Sequence, residues 1–267
     1  MAGILTDLTR TVVAGVILAV VLFIVYYATQ GYSGTDFGVF FFRWLHVLSG
    51  VMWIGLLWYF NFVQIPNMPK IPDEQKPAIG KVIAPAALFW FRWGAMATIV
   101  TGLIVAEMNG YLLSAISLGL ADGVPKHTMI GIGMWMGVIM WANVWFVIWP
   151  AQKVVIANAE NVAGGGEANP AAAGAGGKAG MASRTNTLFS IPMLFFMGAA
   201  SHLPSITGIS GVATYWVVAL VVVGLVELNG LIGPGASSQK PLTTVSGTIH
   251  MGLGLTVVLA VLQIALT

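Results

Sequence analysis

The run TVVAGVILAVVLFIVYYATQG, residues 11–31, carries no charged side chain. Further long apolar runs follow at about 38–62, 84–106, 127–149, 185–203, 213–232 and 245–266. Each is close to the ~20 residues that a helix needs to cross a bilayer. In hydrocarbon every backbone N–H and C=O must find its partner inside the protein, so segments of this length fold as helices. The expected fold is therefore all-α: a polytopic transmembrane helix bundle of seven spans, with residues 1–267 forming a single transmembrane domain. The segment 107–126, with YLLSAISLGL, is too short to cross. It lies in the interface or re-enters, and full re-entry would make an eighth span.

Composition agrees. The chain is 58% hydrophobic and 7% charged, against about 25% charged in soluble domains. A net charge of +2 gives no sign of nucleic acid, and the lipid bilayer is the partner expected. There is no cysteine, which excludes disulfides, iron–sulfur clusters and a covalently attached haem c in this chain. No phosphate loop, Ser/His/Asp set or paired carboxylates appear. Arg10 precedes an apolar run too long for a signal peptide, so the first run reads as a retained span.

Two connections stand out. Residues 63–83 are rich in proline and lysine and read as an ordered surface loop. Residues 150–184 contain AGGGEANPAAAGAGGKAG, and about 160–183 reads as a flexible cytoplasmic Gly/Ala-rich loop dividing four spans from three. With the N-terminus inside, Arg10, Lys70, Lys76, Lys81, Lys153, Lys178, Arg184 and Lys240 are cytoplasmic, and only Lys126 and Arg43 fall outside. This positive-inside bias places the N-terminus in the cytoplasm and the C-terminus in the periplasm of a bacterial inner membrane. Gly133 and Gly137 form a GxxxG spacing in the fourth run, which lets helices approach closely.

The candidate site is in the second run, FRWLHVLSGVMWIGLLWYFNF. Arg43, His46, Gly50 and Trp53 recur at helical spacing and share one face. A flat, acidic ligand such as haem b would use that stripe: His46 as iron ligand, Gly50 as room for the macrocycle, Trp53 to stack and Arg43 to meet a propionate. The bland alternative is a packed helix whose histidine hydrogen-bonds a neighbouring carbonyl.

His127, His202 and His250 are the other candidate ligands, His250 beside Gly252 and Gly254. With a rise of about 1.5 Å per residue, His46 lies roughly 12 Å from the outer face and His250 roughly 10 Å from the inner one. In a core about 30 Å thick the two rings would be offset by about 8 Å, so His127 or His202 matches His46 better in depth. Four histidines on two haems would leave His250 without a partner. Arg92 and Glu227 are charged groups inside runs and each needs a partner. An ion pair between them is the expected arrangement; a propionate on Arg92 and proton handling by Glu227 are the alternatives.

FRWLHVLSGVMWIGLLWYFNFVQIPNMPKIP, KVIAPAALFWFRWGAMATIVTGL, GMWMGVIMWANVWFVIWPAQK and SRTNTLFSIPMLFFM resemble the membrane domain of the membrane-bound, cytochrome c-linked urate oxidase (urate hydroxylase) family, over about residues 40–200. The smaller signature His46-x6-Trp53-x-Gly55 also resembles first helices of the copper-resistance D family and of membrane protoporphyrinogen oxidases. The urate oxidase family carries a cytochrome c domain after its membrane domain, and this chain, ending at Thr267 without cysteine, is expected to lack it. The resemblance then implies a haem b electron-transfer protein that passes electrons to a separate external cytochrome c, with oxidoreductase activity of urate oxidase type open. The alternative is a non-catalytic accessory subunit of a larger membrane redox or photosynthetic complex. A metal-handling transporter is disfavoured, since no methionine/histidine cluster occupies a loop.

Overall fold

The computed structural model describes residues 2–31, 33–203 and 210–267. Every regular element among them is helical. The principal helices are α1 (Leu8–Gln30), α2 (Gly34–Trp58), α3 (Ala84–Met108), α4 (Leu112–Ile116), α5 (Pro125–Ala142), α6 (Trp149–Ala163), α7 (Ala171–His202), α8 (Val212–Leu231) and α9 (Val245–Leu266). Six helical stretches among the described residues are long and apolar enough to cross a membrane: Leu8–Gln30, Gly34–Lys70, Ile79–Met108, Pro125–Ala163, Val212–Leu231 and Val245–Leu266. The chain is a multi-pass membrane protein.

The run expected at 185–203 forms part of α7, which falls outside those six. Its polar residues explain why. Thr185, Asn186, Thr187 and Ser190 are fully buried, so they face other helices. α7 packs against α2, α5, α6, α8 and α9 and so forms the hub of the bundle. The partners of α2 reach it through polar side chains: Trp58 Nε1 donates to Ser190 Oγ at 2.8 Å and Asn61 Nδ2 to Ser183 Oγ at 2.8 Å. Between membrane helices apolar burial supplies little preference over lipid, so such bonds and close backbone approach carry the association. At Gly252 an added Cβ would sit 2.9 Å from the Leu188 carbonyl, so α9 lies directly on α7. In the GxxxG pair Gly133 faces Met193 and Met197 of α7, whereas Gly137 has nothing within 4 Å.

Two departures from the sequence reading have their origin in proline and small residues. The segment expected as a loop at 63–83 is mostly helical, through π turns at Tyr59–Gln64 and Ile79–Ile83. A third π turn spans Asn143–Ile148. Pro66, Pro85 and Pro150 follow two residues after these turns. Proline lacks an N–H and its ring crowds the carbonyl four residues back, and a widened turn absorbs that misfit without ending the helix. The Gly/Ala-rich stretch expected as a loop at 160–183 is helix except at 164–170, and its small side chains allow α7 to pack along α6. The segment 107–126 is no eighth span. α4 has five residues and is pinned to α5 by Thr128 Oγ1 donating to Leu118 O (2.9 Å) and Trp135 Nε1 donating to Ile116 O (2.9 Å).

Candidate functional site

Helices α2 and α3 pack antiparallel in a regular register. Trp53 lies against Gly94, Gly50 against Thr98, and His46 against Gly102. Gly102 is what admits the imidazole: a Cβ there would lie 2.8 Å from His46 Cε1 and 3.0 Å from Nδ1. Thr98, Thr101 and Gly102 share one face of α3 by the helical repeat.

His46 Nδ1 lies 2.8 Å from Thr98 O. A carbonyl only accepts, so Nδ1 carries the proton and donates. Thr101 Oγ1 is 3.4 Å from the same nitrogen, and its own proton goes to Ala97 O at 2.6 Å. The neutral ring therefore presents its lone pair on Nε2, which makes no hydrogen bond among the described residues. This is the carbonyl contact of a packed histidine, yet it occupies only one nitrogen. It also leaves the other in the tautomer that a metal requires. The residues thus fit one axial imidazole of a haem.

The rest of the stripe is divided. Arg43 is exposed and Trp53 is 1% exposed. Trp53 is packed into the α2–α3 seam and turns no open face to a ligand. Gly50 contributes to the same seam.

Arg43 lies near Tyr111, whose phenol is pushed up by burial and pulled partly back by the arginine charge. Tyr111 stacks on His127, with ring centroids 5.5 Å apart at 22°. His127 Nδ1 lies 2.6 Å from Asp122 Oδ2. Burial pushes the Asp122 carboxyl up, but hydrogen bonds from Ser114, the Val124 N–H and His127 outweigh it and hold the group below its ordinary value. A depressed carboxylate stabilises the fold above its unfolded pKa, and the contribution fades as pH falls through the folded value. Unfolding of the Asp122→Asn variant is therefore expected to be slightly easier than that of wild type at pH 7 and to approach it as pH falls below the ordinary carboxylate range. The group is largely exposed, so the effect is small; a denaturation series across pH reads it.

The other two histidines stand apart from this cluster. His250 is exposed, with Nδ1 2.7 Å from Ser246 O; α9 is not among the helices that pack extensively on α2. His202 is exposed at the end of α7. Among the described residues no three His, Cys, Asp or Glu side chains gather as a metal cluster.

The expected Arg92–Glu227 ion pair does not form. Arg92 lies over the Trp149 ring at 3.6 Å and near Trp145 at 5.7 Å, which offsets part of its charge without an acid, while its Nη1 is buried with no hydrogen-bond partner among the described residues. The cavity beside it is about 10 Å³, room for one water and too small for a propionate. Glu227 instead accepts from Asn143 Nδ2 at 3.0 Å; the same amide donates to Asn186 Oδ1 at 2.9 Å, and Asn186 Nδ2 donates to Met140 O at 2.9 Å. Sequence reasoning missed Thr98, Gly102, Asn143 and Asn186. The available signals were the Thr98-x-x-Thr101-Gly102 spacing and the density of polar residues in SRTNTLFS.

A family model described as urate oxidase N-terminal matches residues 124–258, about half of the chain. The match runs from the end of the α4 region through most of α9. It overlaps the resemblance noted above over its second half and extends it toward the C-terminus. No curated protein and no solved structure matches.

Proposed function

The chain belongs to the urate oxidase N-terminal family, and from that premise we propose that it is a haem b-binding electron-transfer protein of a bacterial inner membrane. His46 is the axial ligand, and one-electron chemistry is what the haem would supply. The observation that carries this reading is the Nδ1–H bond of His46 to Thr98 O with Nε2 left unengaged. His127 is the favoured second ligand, because Arg43, one turn from His46, acts electrostatically on Tyr111, and Tyr111 stacks on His127. Arg43 then serves a propionate. Electrons pass to a separate external cytochrome, in keeping with a chain that has no cysteine to hold a covalent haem.

The test is a reduced-minus-oxidised visible spectrum of the chain purified in mild detergent, with pyridine haemochrome quantitation. A b-type spectrum with stoichiometric haem supports the proposal. A well-folded, colourless chain overturns it. That outcome would favour an accessory subunit of a larger redox or photosynthetic complex. One observation favours that second reading: α1 buries none of its residues and meets α2 through ring contacts of Phe23 and Tyr27, leaving a whole helix for another membrane protein.

In this reading α7 is the seventh crossing, the N-terminus is cytoplasmic and the C-terminus periplasmic, as the lysine and arginine distribution supports. The cysteine-free chain makes this simple to check. Lys126→Cys is expected to react with an impermeant maleimide in intact cells, and Lys178→Cys only after permeabilisation. The reverse pattern would invert the topology.

A further inference from the structure

A cavity of about 350 Å³ lies away from His46, between the π turn that extends α2, the helix α7 and the start of α9. Asn61, Phe62 and Ile65 line one side, Arg184 another, and Thr244 and Val245 a third. The space far exceeds the ~10–15 Å³ that one water needs.

Its polar groups are unmatched in a specific way. Arg184 is half-buried and makes no hydrogen bond or ion pair among the described residues. Asn61 is 7% exposed; its Nδ2 donates to Leu57 O and Ser183 Oγ, so its Oδ1 is fixed as an acceptor and is left without a partner. Thr244 caps the Gly247 N–H, while the N–H groups of Val245 and Ser246 precede the first possible intrahelical acceptor. The cavity therefore offers a cation and helix-terminal donors to an anion, and one buried acceptor to an O–H or N–H. Phe62, Ile65 and Pro66 supply an apolar wall. Lys70 and Lys240 flank it in sequence, at the ends of Gly34–Lys70 and Ser237–Thr243.

We propose that this cavity binds a phosphate-bearing polyol, with the phosphate on Arg184 and a hydroxyl on Asn61 Oδ1. The cavity sits where one crossing helix ends and another begins, with Arg184 in its wall and Lys70 and Lys240 close in sequence to its lining, which suits the headgroup of an anionic phospholipid. The site does not depend on the haem reading.

The experiment uses the full chain in nanodiscs of phosphatidylcholine, with and without phosphatidylglycerol, reading thermal unfolding and the lipid retained in native mass spectrometry. Phosphatidylglycerol is expected to raise the unfolding midpoint saturably and to remain bound. Arg184→Gln removes a charge-assisted contact and is expected to weaken that effect about tenfold or more. Ile65→Trp fills the cavity while keeping the arginine, and is expected to abolish it. If Arg184→Gln does not fold, the wild-type comparison and Ile65→Trp decide. Adding sn-glycerol 3-phosphate to phosphatidylcholine discs separates the sources: protection there assigns a soluble phosphate ester, and its absence alongside the lipid effect assigns the headgroup. Equal wild-type midpoints under all conditions overturn the proposal, as does an undiminished lipid effect in Ile65→Trp.

Discussion

Replacing His46 with alanine is expected to remove the b-type absorption of the reduced chain completely while the chain still folds. The ring is half-buried, and its loss leaves Thr98 O with one bond fewer. That carbonyl still accepts the intrahelical N–H four residues on, inside Ala84–Met108, so it is not orphaned and the cost in stability stays near the ~1 kcal/mol of an ordinary hydrogen bond. The iron would lose a ligand outright, a far larger effect than that cost. A second variant separates ligation from packing. Gly102→Leu keeps the imidazole but places a side chain where His46 Cε1 and Nδ1 now lie. Displacing the ring breaks its bond to Thr98 O and frees the tautomer; lost outer-shell contacts of this kind typically cost about 10–100-fold in affinity. Graded loss in Gly102→Leu with total loss in His46→Ala would establish the ligand. An unchanged spectrum in His46→Ala would remove His46 from the site altogether.

The crossing helices were legible in the sequence because apolar runs of this length are local signals. The ends of α8 and α9 match the expected runs to within a residue or two. What was not legible lay in two places. At Pro66, Pro85 and Pro150 the sequence signals a break, whereas the chain widens one turn and continues as helix. In α7 the apolar run 185–203 was readable, but not that its buried polar residues make this the helix with the most partners among the core helices. The His46 stripe was visible by spacing, but its complement on α3 was not. Helical periodicity says which residues share a face, not which face of another helix they will meet. Arg92 shows the same limit: the need for a partner was readable, while its resolution by two tryptophan rings in place of Glu227 depends on where the π turn at Asn143–Ile148 aims Trp145 and Trp149.

That π turn also sets the largest expected effect on stability. Asn143 opens it, 3% exposed, and directs its amide to both Asn186 and Glu227. Asn186, with no exposed surface, carries the bond onward to Met140 O. Three elements, α5 with its π turn, α7 and α8, are thereby joined through two amides and a carboxyl, all within the matched residues 124–258. Asn186→Leu is close in shape but removes both bonds at once. Asn143 Nδ2 keeps Glu227 and Met140 O keeps the Asn143 N–H, so neither partner is left wholly unpaired, and at about 0.5–1.5 kcal/mol per bond a loss of roughly 1–3 kcal/mol is expected for the pair. Hydrogen bonds between membrane helices average only about 0.6 kcal/mol, because the separated helices find other partners. If that average governed here, the loss would be about 1 kcal/mol. The larger figure is expected because Asn186 is shared between two partners that are themselves buried. Glu227→Gln retains an acceptor for Asn143 and is expected to change stability little, which makes it the control. Denaturant titration of the three proteins in one detergent decides the matter: an Asn186→Leu loss no greater than that of Glu227→Gln would mean that the bundle is held by close backbone approach at seams such as Gly252 on Leu188, with the polar network merely accommodated inside it.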